Sequence, residues 1–100
     1  MSVLIEFAIF PTDKGESKSK YVARVIDMIK SSGVKYQLTP MGTVIECESV
    51  SEGLKVIDDA YRELESDCNR IYSVIKIDYR KNQTSRMDKK IKSVQEKLQN

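Results

Sequence analysis

Hydrophobic and polar positions alternate along the first stretch of the chain. Val3, Ile5, Phe7 and Ile9 fall on one face of an extended backbone, and Leu4, Glu6, Ala8 and Phe10 fall on the other. A period of two predicts a β-strand. One face is wholly apolar and the other is apolar except for Glu6, so both are expected to be covered. Pro11 ends the strand, and a polar stretch leads into Tyr21, Val22, Val25, Ile26 and Ile29, spaced as on an amphipathic helix. Ser17 or Ser19 is the expected N-cap, and Ser31-Ser32-Gly33 supplies a stop.

Val34, Tyr36 and Leu38, then Thr43, Ile45 and Cys47, continue the alternation on either side of a turn and predict a hairpin. Ser49 followed by Glu52 matches a capping box, and Leu54, Ile57, Tyr61 and Leu64 extend a second helix over 50–67. Residues 70–80 are rich in β-branched and aromatic side chains and read as a fourth strand. Met87, Ile91, Val94 and Leu98 then form a narrow, heptad-like stripe on a third helix. Such a stripe suits a seam against another helix better than a broad core face.

The order βαββαβ plus a helix predicts an α+β, ferredoxin-like sandwich over 1–81, with 82–100 as an extra C-terminal helix of the same domain placed for subunit contacts. Right-handed crossovers give an antiparallel sheet in the order 4-1-3-2, with the first two helices on one face and the other face open. Side-chain parity puts Glu6, Glu46 and Lys76 together on that open face. Either these charges pair with one another across a sheet-to-sheet subunit interface, or the two carboxylates hold a small cationic or amino-bearing ligand there. A mostly apolar open face favours subunit pairing in both cases.

Composition narrows the classes. With 40% hydrophobic and 32% charged residues the chain is an ordinary globular domain. The apolar runs are too short for a membrane helix and no basic leader precedes them, so a cytoplasmic protein without membrane contact is expected. Cys47 and Cys68 lie far apart with no histidine to join them, so no metal site is expected and structural thiols are the simpler reading. Residues 1–79 carry 10 basic and 13 acidic side chains, whereas 80–100 carry 7 and 2, so the tail is basic on a mildly acidic body. That tail meets either nucleic acid or an acidic surface of a sister subunit. Glutamates on the open face and the missing RNA-binding signature argue against nucleic acid. No Gly-rich phosphate loop or nucleophile motif appears, so catalysis is not expected.

The segment Thr39-Pro40-Met41-Gly42-Thr43 reads as a longer reversal than a hairpin needs. Pro40 presets its own φ and Gly42 tolerates positive φ, which predicts a stiff loop holding Met41 and Thr43 in place. It is either the rim of a ligand pocket, with the Ser17–Tyr21 segment as a second rim, or a well-formed turn and nothing more.

The stretches FPTDKGESKSKYVARVIDMIKSSGVKY, LTPMGTVIE and RIYSVIKIDYR, with the closing MDKKIKSV, resemble the small thiamine-binding proteins long catalogued as conserved proteins of unknown function. The resemblance implies a ferredoxin-like homodimer or homotetramer that binds thiamine or its hydroxymethylpyrimidine moiety without catalysis, as a carrier or sensor, at or near a subunit interface. On that basis Glu6 or Glu46 pairs with the thiazolium charge or the amino group, Tyr21 or Met41 packs on a ring, and Gly42 and Thr43 shape the rim. Ser17 and Ser19 offer hydroxyls or serve as caps, and the helix N-terminus after them offers free N–H groups to an anion such as a phosphate. No other cofactor is implied. The chain departs from the family pattern at Tyr61, where histidine is expected, and at Asp67-Cys68, where glycine is. The alternative is an oligomeric assembly module with no small ligand.

Overall fold

The computed structural model describes residues 2–15 and 17–98. Its elements are β1 (Ser2–Pro11), α1 (Ser19–Ser32), β2 (Lys35–Thr39), β3 (Gly42–Cys47), α2 (Val50–Glu65), β4 (Ile71–Arg80) and α3 (Arg86–Gln95). The strands form one antiparallel sheet in the order β2-β3-β1-β4, the ferredoxin-like arrangement expected from the sequence.

The apolar face of β1 meets α1 and α2. Val3 and Ile5 are fully buried there, beside Ile45 of β3, Val25 and Ile29 of α1, and Ala60 and Leu64 of α2. Burying one such side chain contributes about 1.5–3 kcal/mol, so this single layer dominates the stability of the domain. Gly53 lets α2 sit low on the sheet, since a Cβ there would lie 2.2 Å from the buried Ile5 Cδ1. No helix among the described residues is long and apolar enough to cross a membrane.

The helix ends obey local chemistry, with one departure. Ser49 Oγ accepts the Glu52 N–H at 3.1 Å, while the Glu52 carboxylate reaches the N–H of Glu48 at 3.3 Å, completing the cap predicted from sequence. Gly33 closes α1 with φ of 80°, a left-handed conformation that costs glycine little. At the start of α1, however, the N-cap is Lys18 and no side chain caps it. Ser17 and Ser19 instead face each other with their hydroxyls 3.4 Å apart. Neither occupies the cap position: Ser17 precedes Lys18, and Ser19 is the first residue of the helix.

The open face is not fully open. The first turn of α3 lies across one end of it, burying Arg86 and Met87 and leaving Leu4 of β1 only 9% exposed. The guanidinium of Arg86 donates to the carbonyls of Ser2 and Asp78 at 3.4 and 3.0 Å and to the Asp78 carboxylate. Beyond that latch the stripe runs out of contacts: Ile91 and Val94 stay exposed, and Leu98 lies past the end of the helix.

Candidate functional site

The reversal between β2 and β3 is tighter than the sequence suggests. Thr39 pairs with Gly42, so the turn proper is only Pro40-Met41. Neither central residue has positive φ, whereas two-residue hairpins ordinarily use such conformations to match the strand twist. The Thr39 side chain compensates: its hydroxyl accepts the N–H groups of Met41 at 3.2 Å and Gly42 at 3.1 Å and donates to the Gly42 carbonyl at 2.9 Å. The reason for Gly42 is also different from the expected one. Its φ is not positive, but a Cβ would lie 2.8 Å from the carbonyl oxygen of Phe7, so glycine lets the foot of the turn press against β1.

A cavity of about 330 Å³ lies beside this turn. Its floor is the end of β1 from Phe7 to Phe10; α1 supplies one wall through Val22, Val25 and Ile26, and Leu38 to Thr43 supply the other. Lys18 stands at the N-terminal end of the α1 wall and is the single charged lining residue among the described residues, with its ammonium donating to the Gly15 carbonyl. Met41 is 86% exposed at the mouth, and Thr43 is buried opposite Phe7. The volume falls at the small end of the range for ligand sites, about 300–1,000 Å³. Its walls suit a flat, largely uncharged ring.

Of the residues singled out from sequence, Met41, Gly42 and Thr43 converge on this cavity. Ser17 and Ser19 flank Lys18 but do not line it. Tyr21 points into the core and is 5% exposed, with the Lys20 ammonium 5.0 Å and the Arg24 guanidinium 5.7 Å from its ring. Tyr61 is likewise away from the cavity, its hydroxyl hydrogen-bonded to that of Ser73 on β4.

The two glutamates lie elsewhere and apart. Glu6 sits on the open face directly opposite Lys76, 3.7 Å from its ammonium, in a shallow hollow of about 210 Å³. Glu46, expected beside Glu6, is opposite Leu4 on one side and Lys35 on the other. Its carboxylate accepts the Ser2 hydroxyl at 2.7 Å and the N–H groups of Arg86 at 2.8 Å and Met87 at 3.3 Å. Burial pushes its pKa up, but these hydrogen bonds outweigh burial and hold it below the ordinary glutamate value. Glu46 is thus the acceptor that closes the N-terminus of α3.

Lys18 and Thr39 fall within the two segments expected to form a rim, although neither was named as a site residue, and Leu38 lies outside both. The signal available was the pair Val22 and Ile26, which widens the apolar stripe of α1 beyond the buried positions Tyr21, Val25 and Ile29. That surplus apolar edge lines the cavity.

Relatives of known sequence share this organisation. The chain is 36% identical over 94 residues to a UPF0045 protein of Methanocaldococcus jannaschii, covering 94% of this chain and 93% of that one. The crystal structure of that archaeal protein superposes with a TM-score of 0.84 over 95% of this chain and 97% of the other. A UPF0045 protein of Mycobacterium bovis is 33% identical over 98 residues, covering 98% and 96% of the two chains. A Thermotoga maritima protein provisionally assigned to thiamine biosynthesis or salvage superposes with a TM-score of 0.79 at 25% identity, over 93% of this chain and 99% of that one. Matched over residues 5–95 by the family model described as thiamine-binding protein, the chain belongs to that family.

Proposed function

We propose that the protein binds thiamine or its hydroxymethylpyrimidine moiety without transforming it, as a carrier or sensor, and that the ligand's pyrimidine enters the cavity between α1 and the β2–β3 turn. The observation that supports this reading is the meeting of Met41, Gly42 and Thr43 with the α1 wall around a ring-sized apolar space. Lys18 disfavours a second cation in the same space, so the thiazolium of thiamine would stay outside the mouth, near Met41, while the uncharged pyrimidine goes in. The family membership and the assignment of the Thermotoga maritima relative point to the same ligand class.

Calorimetric titration with thiamine, its phosphates and hydroxymethylpyrimidine tests this. Saturable heat in the native protein, lost in Val22→Trp, which fills the cavity, and kept in Glu6→Gln on the opposite face, is the expected pattern. No heat with any of these compounds overturns the ligand assignment. Binding that survives Val22→Trp but not Glu6→Gln moves the ligand to the open-face hollow. One observation favours the reading of an assembly module without a ligand: Glu6 and Glu46 already have partners within the chain.

A further inference from the structure

The cavity beside the turn carries an unbalanced charge. Lys18 is half-buried in its lining, and the other described lining residues are all uncharged. Arg24, Lys35, Lys55 and Lys76 each pair with a carboxylate. The described partner of the Lys18 ammonium is instead the neutral carbonyl of Gly15. An ammonium has three donors, and that carbonyl takes one of them.

Lys18 also continues the apolar wall. Lys18, Val22 and Ile26 are spaced four residues apart, so they form one stripe of α1, and all three line the cavity. Four residues at about 1.5 Å each separate Lys18 from Val22 by about 6 Å along the helix axis. A ring lying against Val22 that carries one methylene and one ester oxygen covers most of that span. The flexible lysine stem covers the rest.

We infer that Lys18 makes the cavity selective for a phosphorylated pyrimidine, with the ring against Val22 and Ile26 and a phosphate monoester on its hydroxymethyl group at the Lys18 ammonium. This rests on the ligand class proposed above and names the form of it that the cavity prefers. A phosphate monoester carries a charge of about −1.5 to −2 at neutral pH and strong acceptor oxygens, which complement an ammonium with donors to spare. The unphosphorylated alcohol offers Lys18 no charge. In thiamine the same methylene carries a cationic thiazolium in place of the ester, so cation meets cation, and any phosphate of thiamine lies beyond that second ring.

Calorimetric titration of the full chain with hydroxymethylpyrimidine, its phosphate ester and thiamine tests the selection. The ester is expected to bind about fivefold or more tighter than the alcohol, an advantage that shrinks as salt is added. In Lys18→Gln the ester and the alcohol are expected to bind alike. Lys20→Gln, which removes an exposed ammonium outside the cavity, is expected to keep the preference. Circular dichroism establishes that both variants keep the fold. Equal affinity of the wild type for ester and alcohol, or a preference that survives Lys18→Gln, overturns the inference and leaves the ligand class standing. So does thiamine binding more tightly than the ester. Lack of binding by all three compounds overturns the ligand class, and this inference with it.

Discussion

The carboxylate of Glu46 on β3 accepts the backbone N–H of Arg86, 40 residues further along the chain, at 2.8 Å. One acidic side chain in the sheet therefore caps a helix that packs across it. The Met87 N–H and the Ser2 hydroxyl converge on the same group, so three donors depend on one acceptor.

Replacing Glu46 by alanine leaves those donors without their acceptor and is expected to cost about 1–2 kcal/mol, read as a lower urea midpoint. The pH dependence has a definite sign. Because the folded pKa lies below the unfolded one, the contribution is complete above the ordinary glutamate range and is lost as pH falls through the folded value. Wild-type stability should thus fall more steeply than that of Glu46→Gln below about pH 5. Parallel slopes for the two proteins would show that the carboxylate charge does not matter.

Gly42→Ala places a methyl group 2.8 Å from the Phe7 carbonyl oxygen, and both groups belong to backbone held in the sheet. Overpacking of this kind costs about 1–3 kcal/mol, equivalent to a fall in Tm of several degrees for a domain of this size. Thermal unfolding followed by circular dichroism measures it. An unchanged Tm would mean that the hairpin shifts freely on β1.

Cys47 is 4% exposed, and burial, with help from Glu52 and Glu46, pushes its thiol pKa up to about 11. The thiolate is the reactive form, so this cysteine is expected to resist a thiol reagent at neutral pH until the protein unfolds. Titration with Ellman's reagent should release colour slowly from native protein and promptly from protein in denaturant. Fast stoichiometric labelling of Cys47 in the native state would contradict the packing around it.

The strand order, the hairpin, the Ser49 cap and the Gly33 stop were legible because each depends on residues close together in sequence or on strict alternation. What was not legible depends on distance or competition. Parity put Glu46 on the correct face, but the register set it opposite Leu4, and nothing in the sequence announces that its carboxylate serves a helix from the far end of the chain. Ser17 and Ser19 have the right chemistry for a cap, but the helix begins with Lys18 between them at the cap position. Gly42 was read as a source of positive φ when its function is to have no side chain near Phe7. The candidate cavity was half legible: the turn residues stood out, but the wall of α1 came from an apolar stripe slightly wider than the core needed.

The pairing of β1 with β4 also governs how the molecule can be made. Pro11 lies opposite Ile71 and Ser2 opposite Arg80, so the central strand is joined to a neighbour that leaves the ribosome almost a whole domain later. Until then β1 can pair only with β3, and its Ile5 and Phe7 lack the completed sheet beneath the helices. Long-range pairing of this kind slows closure and prolongs the life of unfinished chains. The domain should therefore refold more slowly than a helical bundle of similar length, because its central strand must wait for a partner from the far end of the chain.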